Sequence, residues 1–375
     1  MLLKFAVQNF KGFSERIEWD LTHPHGYDFH THAIRDGVVK NGIVYGPNGS
    51  GKTNFSLAIF DIVNHLSQKM GKPDYYLYFP NANHISDPVR FEYTFRLSNH
   101  LIVYKYKKDW QGNLIEESMS VDDNDFLLRD AKSVRAEGFV LVDSIQKDFL
   151  ASEHPVSLIS YLWSNYPLPE EHFLSQLRRF VDTMLWYKCL DRREFIGMDN
   201  ARTYVEEYIV KNNLIQEFSD FLDTVSEQRF SFEVLESDTR NSNSHPELQV
   251  RYGADGSHVS IPFLQIASTG TQALELLFYW MKKAENASFI FIDEFDAFYH
   301  FDLAFKVCKK LFAMPNCQVF LSSHNTYLMT NDLLRPDCNF VLCENKIKPL
   351  VDCTDKELRF AHNMEKLYRG GTFKV

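Results

Sequence analysis

Residues Gly46 to Thr53 read GPNGSGKT, and no other stretch of the chain restricts its fold as strongly. The spacing is that of a loop whose backbone curls round a phosphate chain. Gly46 and Gly51 give the backbone the freedom for that curl, and Pro47, Asn48, Gly49 and Ser50 complete the turn between them. Lys52 then brings a cation to the phosphates, and Thr53 a hydroxyl suited to Mg2+. Such a loop needs a buried strand before it and a helix after it. Asn41 to Tyr45 (NGIVY) is an apolar run of strand type, and Asn54 to Leu66 carries apolar residues at helical spacing. Strand, loop and helix in this order predict an α/β fold that binds a nucleoside triphosphate with Mg2+.

The rest of the composition sets limits. The chain has 375 residues, 45% of them hydrophobic, enough for one large domain or two ordinary ones around a real core. A net charge of -10 argues against a general attraction to nucleic acid, while leaving room for a local basic groove. The six cysteines show no CxxC pairing and sit mostly in apolar runs, as buried thiols do in a reducing compartment. No apolar run approaches the ~18 residues of a membrane span. A cytoplasmic protein with no membrane partner is expected.

Along the chain, Leu2 to Phe10 and Glu15 to Leu21 read as two strands joined by the turn at Lys11 to Ser14. After the loop helix, VRFEYTFRL, HLIVYKYKK and LIEESMSVD alternate apolar and polar residues, the mark of an antiparallel β-lobe. From about Phe126 to Val234 the spacing becomes helical, which predicts a compact helical lid, with Trp186 and Tyr187 in one of its apolar helices. The polar loop Asp238 to Glu247 reads as a mobile surface segment. The expected division is therefore 1–125 for the first half of the head, 126–234 for the lid and 235–375 for the second half.

Three further motifs follow in order. Ala287 to His300 (ASFIFIDEFDAFYH) is a buried strand ending in two acids. There Asp293 is placed to ligate Mg2+, and Glu294 to act as the general base on the attacking water. Before it, IASTGTQALELLFYW sets Ser268 and Gly270 at the amino end of a helix able to hold an anion, and resembles the ABC signature motif. After it, QVFLSSHNTYLM offers His324, which resembles the switch histidine that meets the γ-phosphate in ABC ATPases.

Together with LLKFAVQNFKGF, LRPDC and the closing ELRFAHNMEKLYRGGTF, these motifs make the whole chain resemble bacterial stand-alone ABC-class ATPases related to SMC and RecF heads, a group often labelled AAA family ATPase/GTPase. The resemblance implies an ABC-type P-loop NTPase head with an antiparallel β-lobe and an inserted helical lid, and slow ATP hydrolysis. It also implies a homodimer or higher homo-oligomer that sandwiches ATP between heads. Lys11 would reach the phosphates, and Arg90 or a neighbour would stand where a metal-contacting glutamine is usual. Since many relatives lie in anti-phage defence loci, a protein effector partner is expected. A DNA repair or maintenance ATPase is the alternative, with Lys105, Lys107, Lys108, Arg178, Arg179, Arg192 and Arg193 as phosphate contacts. His362, Asn363, Glu365 and Lys366 are expected on a helix that caps the head.

Overall fold

A computed structural model describes residues 1–67, 79–150, 156–188, 195–197, 204–235, 245–254 and 257–374. Two seven-stranded sheets pack against one helix, Lys52–Ser67. The first sheet is antiparallel throughout, in the order Val134–Ala136, Asn124–Arg129, Leu114–Val121, His100–Lys108, Val89–Leu97, Leu2–Gln8 and Ile17–Asp20. Its strands follow the period of two read in the sequence. Along Val89–Leu97, Phe91, Tyr93 and Phe95 turn inward while Arg90 and Arg96 face solvent.

The second sheet carries the chemistry. Its five central strands run parallel in the order Met184–Lys188, Phe289–Asp293, Gln318–Ser323, Asn41–Tyr45 and Asn339–Cys343. Antiparallel edge strands, Phe195–Gly197 and Lys346–Pro349, close the two sides. Covered on both faces, the parallel strands are apolar along their length rather than alternating. One strand, Gln318–Ser323, separates the loop strand from the acidic strand, so the phosphate loop, Asp293 and His324 all lie at the carboxyl end of one sheet.

Twelve of the sixteen residues of the loop helix are buried, because it has sheet on more than one side. Phe55 meets Phe5 and Trp19 edge-on, Phe60 lies against Phe289, and the Tyr93 hydroxyl donates to the Ala58 carbonyl at 3.0 Å. Trp19 bridges on to Phe320 and Phe340 of the parallel sheet. A helix so enclosed buries Asp61 and His65 as well, and both require partners.

The span 126–234 differs from its helical expectation. It contains the helices Asp143–Leu150, Leu158–Asn165, Phe173–Asp182, Val205–Lys211 and Ile215–Ser226, but strands interrupt them. Trp186 and Tyr187, expected in a helix, lie in the strand Met184–Lys188, inside the core sheet and 3% exposed. The helical spacing stops at Asp182 and Thr183, and the next five residues form a continuous apolar run with one terminal lysine, the form of a buried parallel strand. A separate three-stranded sheet, Phe232–Leu235, Glu247–Ala254 and Ser257–Pro262, follows. Most of the expected mobile loop, 238–244, lies outside the described residues, as do Cys189, Arg192 and Arg193. The closing helix is short, Met364–Arg369; Asn363 caps it and His362 precedes it.

Candidate nucleotide site

The loop glycines are required by close approach. A Cβ on Gly46 would come within 2.6 Å of the Leu342 carbonyl oxygen. Gly51, at φ +95°, would press its Cβ to 2.9 Å from the Phe13 ring. That same ring lies edge-on to Phe55, so the turn carrying Lys11 is seated against the start of the loop helix. Lys11 is itself held there, its N–H donating to the Phe79 carbonyl (2.7 Å) and its carbonyl accepting from the Asn81 amide (2.7 Å). Burial lowers the Lys11 pKa.

Within the loop, Lys52 donates to the carbonyl oxygens of Gly46 (2.9 Å) and Pro47 (3.2 Å), and lies 3.4 Å from His324 Nδ1. An ammonium can only donate, so Nδ1 is the acceptor. Burial first, and the Lys52 charge second, depress the His324 pKa, which keeps the ring neutral near pH 7. Lys52 is also lowered, by burial, against the pull of Asp293 and Glu294.

Asp293 is fully buried at the end of its strand. Thr53 donates to one of its carboxylate oxygens at 2.6 Å and Ser322 to the other at 2.5 Å. Burial pushes its pKa up, partly offset by these two hydrogen bonds. Glu294 follows in the left-handed region, φ 50°, with its N–H donating to Ser322 Oγ at 2.8 Å. The Glu294 side chain is 28% exposed. It lines a cavity of about 320 Å³ with Asp296, Ala297, His324 and Asn325. Asp296 is raised by burial and accepts from Ser323 at 2.8 Å. A second cavity, about 680 Å³, opens beside Gly46, Pro47, Asn48 and His324, with Tyr368 and Phe373 of the closing segment on its wall. The closing helix therefore does more than cap the fold: Arg369 donates to Thr326 in the turn after His324, at 3.3 Å.

Not every expected residue joins this cluster. The Ser268 hydroxyl caps the helix Thr269–Lys283 by accepting from the Thr271 N–H at 3.2 Å. The nearest atom to a Cβ built on Gly270 would be the Phe298 carbonyl oxygen at 2.9 Å, not the phosphate loop. Arg90 is in the antiparallel sheet, donating to Gln8 at 3.3 Å, far in the topology from the acidic strand. The position beside the metal-type aspartate belongs to Lys188, paired in register with Asp293 at the end of the neighbouring strand. Sequence reading missed Lys188, Asp296 and Ser322. For Lys188 the available signal was the change from helical spacing to a continuous apolar run at Met184; for the other two it was proximity in sequence to Glu294 and His324.

These donors fit a magnesium nucleotide. An ammonium resting on the carbonyls of its own loop, inside a glycine cradle, marks where phosphate oxygens would be better partners. Thr53 and Asp293 are hard oxygen donors held side by side. Among the described residues no three His, Cys, Asp or Glu side chains are grouped to hold a metal alone. Mg2+ is commonly shared between one or two protein ligands and phosphate.

Comparison with solved structures finds resemblance to an SMC head bound to the C-terminal winged-helix domain of ScpA. The identity is 13%, with 92% of this chain and 96% of that one covered and a TM-score of 0.45. The SMC head domain from Thermotoga maritima is similar at 14% identity, with 93% and 98% covered and a TM-score of 0.42. RecF bound to ATP is similar at 12% identity, with 93% and 99% covered and a TM-score of 0.43. No curated protein sequence matches the chain. A family model described as "AAA domain, putative AbiEii toxin, Type IV TA system" matches residues 43–330, from the loop strand to beyond His324, which is well over half of the chain. The protein belongs to that AAA-domain family.

Proposed function

We propose that the protein is an ATP-binding and hydrolysing switch whose active form is a nucleotide-dependent pair of heads. The observation that supports it best is the meeting of Lys52, Thr53, Asp293, Glu294 and His324 at the carboxyl end of one parallel sheet. In this reading Lys52 leaves its loop carbonyls for the phosphates, while Thr53 and Asp293 hold Mg2+, which supplies charge neutralisation for phosphoryl transfer. Glu294 takes the proton of the attacking water as its oxygen bonds to the γ-phosphorus and the bond to the β-phosphate oxygen breaks. His324 stays neutral beside Lys52, able to hydrogen-bond at the γ-phosphate end.

Ser268 and Gly270 support the pairing of heads. They form a helix amino end that packs beside the Phe298 carbonyl, and in this reading they complete a nucleotide site only when presented by a second copy. Light scattering of Glu294→Gln with and without ATP tests this. Mass is expected to double with ATP, and Gly270→Asp to abolish the doubling. An ATP-bound species that stays monomeric at high concentration removes the model.

We further read the output as control of a protein effector in phage defence, consistent with the toxin–antitoxin wording of the family description. Arg178 and Arg179, both exposed though paired at the surface with Asp182 and Glu170, are candidates for partner contact. A DNA-maintenance role draws less support. Lys105 and Lys107 are matched by Glu92 and Glu116, and Lys108 is buried on Asp61.

A further inference from the structure

The strand Met184–Lys188 ends at the reacting centre, yet the reading above gives it no task. It lies parallel to the acidic strand with Lys188 in register with Asp293. From there the Lys188 ammonium reaches across to Glu294, 3.7 Å from Oε2. The same strand is tied to the phosphate loop: Trp186 Nε1 donates to Ser56 Oγ at 2.9 Å, and Ser56 Oγ donates to the Thr53 carbonyl at 2.9 Å. One buried strand therefore touches both the magnesium-binding end of the loop helix and the side chain read as the general base.

A base works with a free lone pair. An ammonium held against the Glu294 carboxylate competes with water for the same oxygens. The two side chains are 26% and 28% exposed, so solvent weakens the pairing, and it can be broken by a stronger competitor. The phosphates of a bound nucleotide are such a competitor for the lysine.

We propose that Lys188 is a positioning residue that restrains Glu294, fully in the nucleotide-free protein and in part once the phosphate site fills, so that the strand Met184–Lys188 sets the resting rate of hydrolysis. The proposal rests on the reading of Glu294 as the base. The restraint is weak by construction, a threshold rather than a lock.

The test uses the full chain with Lys188→Met and Lys188→Arg, each alone and combined with Glu294→Gln. Phosphate release is measured, together with equilibrium binding of a fluorescent ATP analogue in the presence of Mg2+. Lys188→Met is expected to raise basal turnover by about two- to fivefold, the range an exposed ion pair commands, and Lys188→Arg to bring it back towards wild type. Because Lys188→Met removes both the pairing that binding must break and the lysine's own pull on the phosphates, its effect on analogue binding should be more favourable, by a similar factor, with Glu294 present than in the Glu294→Gln background. Unchanged or slower turnover in Lys188→Met, or a binding change of equal size in both backgrounds, overturns the restraint. Wild-type turnover in Glu294→Gln alone would instead sink the general-base reading. The binding cycle would still report whether Lys188 and Glu294 are coupled.

Discussion

The two ends of the loop helix use the same residue types to opposite purposes. At its amino end Lys52 and Thr53 face Asp293, Glu294 and His324; towards its carboxyl end Asp61 and His65 face Tyr104, Tyr106, Lys108, Glu117 and Arg129 of the antiparallel sheet. At the carboxyl end every carboxylate is answered. Asp61 accepts from Tyr106 and Lys108, both at 2.7 Å, and Glu117 accepts from Tyr104, Ser157 and the Leu158 N–H. Because Tyr104 gives its single proton to Glu117, His65 donates to it through Nε2 at 2.7 Å, and the imidazole stacks on Tyr106 with centroids 4.0 Å apart. At the amino end, among the described residues, Lys52 meets loop carbonyls and His324 Nδ1, and Glu294 meets the Lys188 ammonium at 3.7 Å across a partly exposed gap. Charge alone does not make a site: closed pairing makes a joint between helix and sheet, and open pairing at a cavity leaves groups for a ligand.

The largest expected contrast is functional. Glu294→Gln should lower turnover by about 10²- to 10⁴-fold while nucleotide binding persists, and Lys52→Ala should lose binding, both with unfolding midpoints close to wild type. A variant at the amino end that unfolds the protein would break the comparison. At the other end the effect should fall on stability. Asp61→Leu leaves Lys108 buried without its main anion and should cost about 3–5 kcal/mol in urea unfolding, whereas Asp61→Leu combined with Lys108→Met should recover most of it.

A smaller effect comes from pH. Burial, followed by the Lys108 and Arg129 charges, holds the His65 pKa well below its ordinary value of 6.5. The unfolded chain therefore binds a proton that the folded chain refuses. The contribution is present above pH 6.5 and is lost as pH falls, by up to about 1.4 kcal/mol per pH unit. Thermal unfolding between pH 7 and 5 should show this slope, and His65→Gln should flatten it. The smallest expected change is at the junction of the two regions. Trp186→Phe removes the hydrogen bond to Ser56 and should cost about 1 kcal/mol, measured by denaturant unfolding.

Much of the amino-end site was legible because its residues sit in short, contiguous strings whose mechanics are local. GPNGSGKT must be a loop, and an apolar run ending in Asp293 and Glu294 must present those acids at a strand end. The antiparallel strands were equally readable from their period of two. The carboxyl-end network was not, since Lys108 lies in an alternating, charge-rich strand and reads as a solvated face until the helix covers it. Nor was Lys188, because a five-residue apolar strand directly after a helix has no periodicity of its own.

By itself, then, the sequence determined the phosphate loop, the acids at its partner strand and the alternation of the β-lobe, all properties set by neighbours in the chain. Which cations are buried, which acids they meet, and which strand stands beside Asp293 were decided only when the two sheets closed on one helix. Burial and pairing over more than a hundred residues are properties of packing, and local spacing carries no record of them.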